Sequence, residues 1–150
     1  MTLWFEDFTP GFRYETDERM LSRDEIVGFA RQWDPQPFHI DPEAAARTFY
    51  GGLIASGYHT LLTAFNLTLE TGLWREASLG ASGFDHLKWR APVRPGDRLR
   101  VAGEVVSATP SARHPDRGRT VIRYEVFNQD DTCVMEFQAT HLLRRRPAQA

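Results

Sequence analysis

The stretch "SGYHTLLTAFNLTLETGLW", residues 56–74, decides the fold. Leu61, Leu62, Phe65, Leu69 and Leu73 recur at helical spacing, with Ala64 and Leu67 nearby. The spacing predicts one long helix with a broad apolar face, buried over much of its circumference. Such a helix needs a sheet to lie on. The second half of the chain supplies it in "FDHLKWRAPV", "RLRVAGEVVSA", "TVIRYEVFN" and "TCVMEFQATHLL". These runs are rich in β-branched and aromatic residues, and in the third of them Val121, Arg123 and Glu125 alternate with Ile122, Tyr124 and Val126. "RPGD" at 94–97 and "NQDDT" at 128–132 are turn signals, and "SATPSARHPDRGR" at 107–119 reads as a mobile loop between strands. A short N-terminal strand, then helices, then a run of strands gives an α+β fold: a long helix packed on an antiparallel sheet.

Upstream, "SRDEIVGFARQWD" is helical. Ser22 and Glu25 form a capping box, and Ile26, Phe29, Ala30 and Trp33 share a face. Pro35 stops it. A second helix starts at Asp41 as cap and Pro42 as first residue, runs through "EAAARTF" and ends at Gly51–Gly52.

The chain has 150 residues, enough for one domain, and we find no internal repeat or long linker. A net charge of −2 favours neither nucleic acid nor an anionic membrane. One cysteine, Cys133, excludes an intrachain disulfide and reads as a packed strand residue; a cytoplasmic location fits. The N-terminus does not read as a signal peptide, no apolar run is long enough for a transmembrane helix, and "RRRPAQA" reads as a solvated tail.

Between the first two helices lies "DPQPFHID", residues 34–41. Pro35 and Pro37 fix their own φ angles and push Gln36 toward extended backbone, so the step is stiff. A stiff step suits a preorganised site. Asp34 and His39 at its ends are candidates for general acid–base chemistry on a water. The same two residues also read as a helix-ending aspartate and a histidine bonded to backbone. His39 with Asp41 is a third reading, as metal ligands, but further closely spaced ligands are lacking. Gly57 opens the long helix, where unpaired N–H groups and partial positive charge make an oxyanion hole for a carbonyl becoming enolate-like. The glycines of this stretch also read as turns and close-packing points.

"WDPQPFHIDPEAA", "GGLIASGYHT" and "FDHLKWRAPVRPGDRL" together resemble the MaoC-like dehydratase family, which includes the (R)-specific enoyl-CoA hydratases. The family motif runs Asp, any residue, Asn, Pro, an aliphatic residue, His, any residue, Asp; the spacing from Asp34 to Asp41 matches it. The resemblance spans about residues 5–143. It implies a hotdog fold, in which an antiparallel sheet wraps a long central helix. It further implies that Asp34 and His39 form a dyad around a water and that the Gly57 N–H polarises the thioester carbonyl. It implies a homodimer or higher homo-oligomer with acyl-CoA or an acyl-carrier thioester entering near the interface, and no cofactor. Gln36 stands for the usual asparagine and Phe38 for a smaller residue. Thr60 and Thr63 stand where some hydratases carry a supporting serine.

The expected activity is hydration of a trans-2-enoyl thioester, or its reverse, with Gln36, Phe38, Ser56 and Tyr58 contacting substrate. A thioesterase, a non-catalytic acyl-binding module and a half-site subunit of a heteromer are the alternatives. Trp33, Tyr58 and Trp89 are candidates for an acyl tunnel, and Lys88, Arg90, Arg94 and Arg98 for CoA phosphates. Each group reads equally as core or solvated surface. His59 and His86 could serve as further acid–base groups but read rather as structural or interfacial.

Overall fold

The computed structural model describes residues 1–149; Ala150, the end of the expected tail, lies outside the described residues. A 3-10 turn at Phe5–Asp7 precedes two short strands, β1 (Arg13–Glu15) and β2 (Arg19–Met20). Four helices follow: α1 (Arg23–Trp33), α2 (Pro37–Ile40), α3 (Pro42–Ala46) and α4 (Gly57–Glu70). Four long strands complete the chain: β3 (Ser78–Trp89), β4 (Arg98–Pro110), β5 (Arg117–Phe127) and β6 (Cys133–Arg144). The sheet order is β1-β4-β5-β6-β3, every pairing is antiparallel, and β2 also pairs with β4. This is the α+β arrangement expected, with α4 on the inner face.

The alternation in β5 sorts as its pattern requires: Ile122, Tyr124 and Val126 are buried, whereas Arg123 and Glu125 are not. Leu99, Val101 and Val105 of β4 and Val134, Met135, Phe137 and Leu143 of β6 complete the core from the sheet side. Glycines admit aromatic rings against the sheet at two points. A Cβ on Gly118 of β5 would stand 2.5 Å from Phe5 Cδ2 and Cζ, inside ordinary contact distance. Gly118→Ala should therefore lose about 1–3 kcal/mol by overpacking, read as a lower urea midpoint at unchanged slope.

Several expected boundaries shift. Strands β4 and β5 pair as far as Pro110 with Gly118, so the expected loop at 107–119 contracts to residues 111–116. β3 begins at Ser78, ahead of the expected Phe84. α3 stops at Ala46, where Thr48 Oγ1 turns back to donate to the Ala45 carbonyl (2.7 Å). α4 ends at Glu70, short of Trp74. The arginine tail is tied down: Arg145 pairs with Glu6 (2.9 Å) and Arg146 with Asp7 (2.7 Å).

The largest departure concerns α4. Its buried residues are His59, Thr60, Thr63, Ala64, Leu67 and Thr68, whereas Leu62, Phe65 and Leu69 face outward. Two of the threonines bond back to backbone carbonyls, Thr68 Oγ1 to Phe65 (2.6 Å) and Thr60 Oγ1 to Ser56 (3.5 Å), which lowers the cost of burying them. The outward stripe is apolar.

A polar line runs inside the sheet, from Tyr14 to Tyr124 (3.3 Å) to His141 Nε2 (2.8 Å). Burial pushes His141 down to about 4. The unfolded chain therefore binds a proton near pH 6.5 that the folded chain refuses until about pH 4. Stability should fall by about 3 kcal/mol as the pH drops through that window and stay flat above it. His141→Gln should flatten this slope in denaturant titrations run at several pH values.

Candidate functional site

Asp34 is the residue on which α1 ends, with φ −154° and ψ 66°, and its N–H donates to the Ala30 carbonyl. Pro35 then prevents continuation. Gln36 is extended, as its place before Pro37 dictates, and caps α2, a single helical turn with Pro37 in its first position. The sequence reading did not anticipate this turn, which shortens the five-residue step and swings His39 back toward Asp34. Asp41 caps α3, its Oδ1 accepting from the Glu43 and Ala44 N–H groups (3.0 and 3.2 Å).

His39 Nε2 stands 3.3 Å from Asp34 Oδ2. The other ring nitrogen, Nδ1, lies 2.7 Å from the Ile54 carbonyl. A carbonyl only accepts, so Nδ1 carries the hydrogen, and Nε2 is left to exchange protons toward Asp34. The two readings of the pair hold together: Asp34 ends a helix, His39 bonds to backbone, and those bonds are what aim the two groups at each other.

The carboxylate is held on both oxygens. Gln36 Nε2 donates to Oδ1 (2.7 Å) and the Ser56 hydroxyl donates to Oδ2 (2.7 Å). Burial alone raises the Asp34 carboxyl, but these two bonds and the neighbouring His39 outweigh it and hold the group below its ordinary value. Asp34 is thus a carboxylate at neutral pH. The departure at Gln36 has a structural result: the longer amide reaches back to the aspartate.

The strip Leu53–Ser56 carries α4 to this pair. Ile54 N–H donates to the Phe38 carbonyl (3.1 Å) and Ala55 N–H to the Val93 carbonyl (2.8 Å). Ser56 caps α4, its Oγ accepting from Tyr58 N–H (3.3 Å). Gly57 is the first residue of the helix, and its N–H has no acceptor among the described residues. An N–H at that place, in the positive end of a 14-residue helix, suits a developing oxyanion.

Asp34, His39 and Gly57 open onto one cavity of about 500 Å³. Gln36, Phe38 and Tyr58 line it too, so six of the seven singled-out residues share it. Ser56 is the exception. It is fully buried, outside the lining, with its hydroxyl on Asp34, and so it cannot contact substrate as expected. Phe38 sits edge-on to His39 (4.5 Å) and packs near Tyr50 (5.6 Å), narrowing that wall.

Among the tunnel candidates, Trp89 and Tyr58 reach the cavity, whereas Trp33 lies on the surface. His59 is buried flat against Phe29 (4.5 Å), away from the cavity lining. His86 holds a positive φ of 55° in β3. The basic cluster is largely engaged. Arg90 pairs with Glu136, Arg98 with Glu18, and Arg94 donates to the Tyr50 carbonyl. Two features escaped sequence reading: the Ile54 carbonyl that orients His39, and the Trp89 indole, which donates to the Gly57 carbonyl (3.0 Å). Backbone acceptors carry no residue signature. Trp89 lies 32 positions from its partner.

Comparison with known proteins places this geometry. The profile of the "MaoC like domain" matches residues 7–126. The 3-hydroxybutyryl-CoA dehydratase of Methylorubrum extorquens is 37% identical over 114 residues, 74% of this chain and 69% of that protein. The crystal structure of a MaoC-like dehydratase from Rhodospirillum rubrum superposes with a TM-score of 0.91 at 37% identity, covering 97% of this chain and 99% of the other. R-hydratase PhaJ1 from Pseudomonas aeruginosa gives 0.73 at 25% identity, over 98% and 92%. Rv0216 from Mycobacterium tuberculosis, described as a double hotdog fold, gives 0.81 at 19% identity, over 99% of this chain and 46% of that one, and identifies the fold as a hotdog. The fold, the matched domain and its dehydratase relatives together make this protein a hydro-lyase of the MaoC-like dehydratase family.

Proposed function

We propose that the protein adds water to a trans-2-enoyl thioester, or removes it from the 3-hydroxyacyl thioester, with acyl-CoA or an acyl-carrier thioester as substrate. The carrying observation is the Asp34–His39 contact of 3.3 Å on a cavity that the N-terminus of α4 also faces. A hydration needs a group to take a proton from water, a group to give one to carbon, and a donor for the oxygen that gains charge. Asp34, held as a carboxylate, is suited to take the water proton. Protonated His39 Nε2 is suited to deliver one. In the hydration direction the water oxygen bonds to Cβ, the C=C electron pair moves toward the carbonyl oxygen, and Cα then takes a proton. The Gly57 N–H receives the negative charge on that oxygen. Ser56 and Gln36 keep the carboxylate ionised and aimed, while Phe38 and Tyr58 contact the acyl part. The likeness to an R-hydratase supports a (3R)-hydroxyacyl product.

Thiol chemistry separates this reading from a thioesterase. Purified protein mixed with short and medium trans-2-enoyl-CoAs should remove the conjugated enoyl absorbance without releasing free thiol. Thiol release with the absorbance change absent would overturn the reading, as would tight binding without turnover.

We further propose a homodimer. β3 is a 12-residue edge strand paired only with β6, and unpaired edges invite a second strand. α4 also exposes Leu62, Phe65 and Leu69, and β3 exposes Phe84. Exposed apolar side chains of this kind mark surfaces that another molecule covers. Leu62→Glu should convert the sedimenting species from dimer to monomer.

A further inference from the structure

Trp89 is the last residue of β3 and pairs in register with Met135 of β6. The chain leaving it is pinned at once, since Arg90 N–H donates to the Val134 carbonyl (2.8 Å). The indole turns out of the strand onto the first residue of α4. A Cβ on Gly57 would lie 2.5 Å from Trp89 Nε1 and 2.8 Å from Cζ2, so the ring rests directly on the Gly57 Cα. From there Nε1–H donates to the Gly57 carbonyl (3.0 Å). The Tyr58 ring meets the indole edge-on, 5.9 Å away.

The other side of the glycine is held as well. Ser56 is fully buried with its hydroxyl on Asp34, and its carbonyl accepts from Thr60 N–H (3.1 Å). Gly57 would otherwise be a loose point, because a glycine at a helix end has the widest backbone freedom of any residue. The Gly57 N–H direction is set by ψ of Ser56 and φ of Gly57. The serine side fixes the first, and the indole restrains the second by gripping the carbonyl on the other side of the same Cα.

We infer that Trp89 is a positioning residue: its indole fixes the first turn of α4 so that the Gly57 N–H stays aimed at the thioester oxygen. The inference rests on the hydratase reading above and adds to it a residue outside the Asp34–His39 motif. It also ties the oxyanion donor to the edge strand, since the same strand ends in the ring that holds it.

Trp89→benzothienylalanine, introduced site-specifically, keeps the ring shape and removes only the N–H. It should lower kcat about tenfold and leave KM within about twofold, because the lost alignment acts on the transition state. Trp89→Phe should do the same with a larger loss of thermal stability. A spectroscopic readout isolates the oxyanion donor. In an Asp34→Asn background, the stretch of a 13C-labelled thioester carbonyl on bound enoyl-CoA should fall below its free value. With the indole N–H removed it should move back toward the free value. Wild-type kcat and carbonyl shift retained in the isostere would overturn the role of Trp89 alone, as would a loss of thermal stability with kcat unchanged. No enoyl turnover by the wild-type protein would overturn the hydratase reading, and the role of Trp89 with it.

Discussion

Asp34→Asn should leave a folded protein whose enoyl-thioester hydration is about 10²–10⁴-fold slower than wild type. The amide has the shape of the carboxylate but keeps one acceptor oxygen, so it can accept from only one of Ser56 and Gln36, which bond to the two Asp34 oxygens at 2.7 Å each. What it loses is the charge that draws a proton from water, on the group that stands 3.3 Å from His39 Nε2. The defect should therefore appear in kcat, with substrate binding nearly unchanged. Steady-state kinetics with a thermal melt on the same sample separates this from unfolding. His39→Ala should cost a similar factor, and the double variant little more than either single one, because the two groups act as a unit. Equal rates for wild type and Asp34→Asn would remove the carboxylate from the chemistry.

Gly57→Ala should damage both activity and stability. The added methyl would meet the Trp89 ring at 2.5 Å from Nε1 and 2.8 Å from Cζ2, where atoms do not overlap without movement. Either the indole leaves or the first turn of α4 shifts. Both outcomes turn the Gly57 N–H away from the position it holds in the cavity wall. The loss of one oxyanion donor costs about 10²–10³-fold in kcat. Overpacking should also cost about 1–3 kcal/mol of stability. Kinetics together with urea unfolding tests both, and near-wild-type activity in this variant would show that the amide of residue 57 carries no part of the reaction.

The parts of the fold that sequence made legible are those set by local periodicity. Alternation in β5 and the cap at Ser22 each follow from neighbours a few residues away. The orientation of α4 was not legible. Leucine and phenylalanine mark what is apolar, and the usual inference puts that face in the core of the same chain. Here Leu62 and Phe65 point outward, while Thr60, Thr63 and Thr68 are buried with Ala64 and Leu67. Composition does not say whether an apolar stripe is covered by its own sheet or by another molecule. The polar run at 107–119 misled for the opposite reason. The last residues of β4 are exposed or half-buried without alternation, so the polar run there gives no strand pattern, although it pairs with the start of β5.

The site divides in the same way. Asp34 and His39 stood out because two prolines confine the four positions between them. Ser56 was expected to contact substrate, and its position relative to Asp34 was not legible. Its hydroxyl faces the carboxylate from behind the cavity wall, and only the path of Leu53–Ser56 between the Phe38 and Val93 carbonyls reveals that. Gln36 read as a departure from the family pattern, and the structure gives it a partner. Trp89 read as a tunnel residue. Its hydrogen bond to Gly57 depends on how the end of β3 meets the start of α4, a contact that no local pattern encodes.

The most direct measurement is hydration of a trans-2-enoyl-CoA in deuterium oxide, followed by NMR of the product. The mechanism expects one deuteron at Cα and the hydroxyl at Cβ for each molecule consumed, with no free thiol, and the signal reduced in Asp34→Asn and His39→Ala alike. Accumulation of free thiol without deuterium at Cα, or full incorporation by both variants, would contradict it.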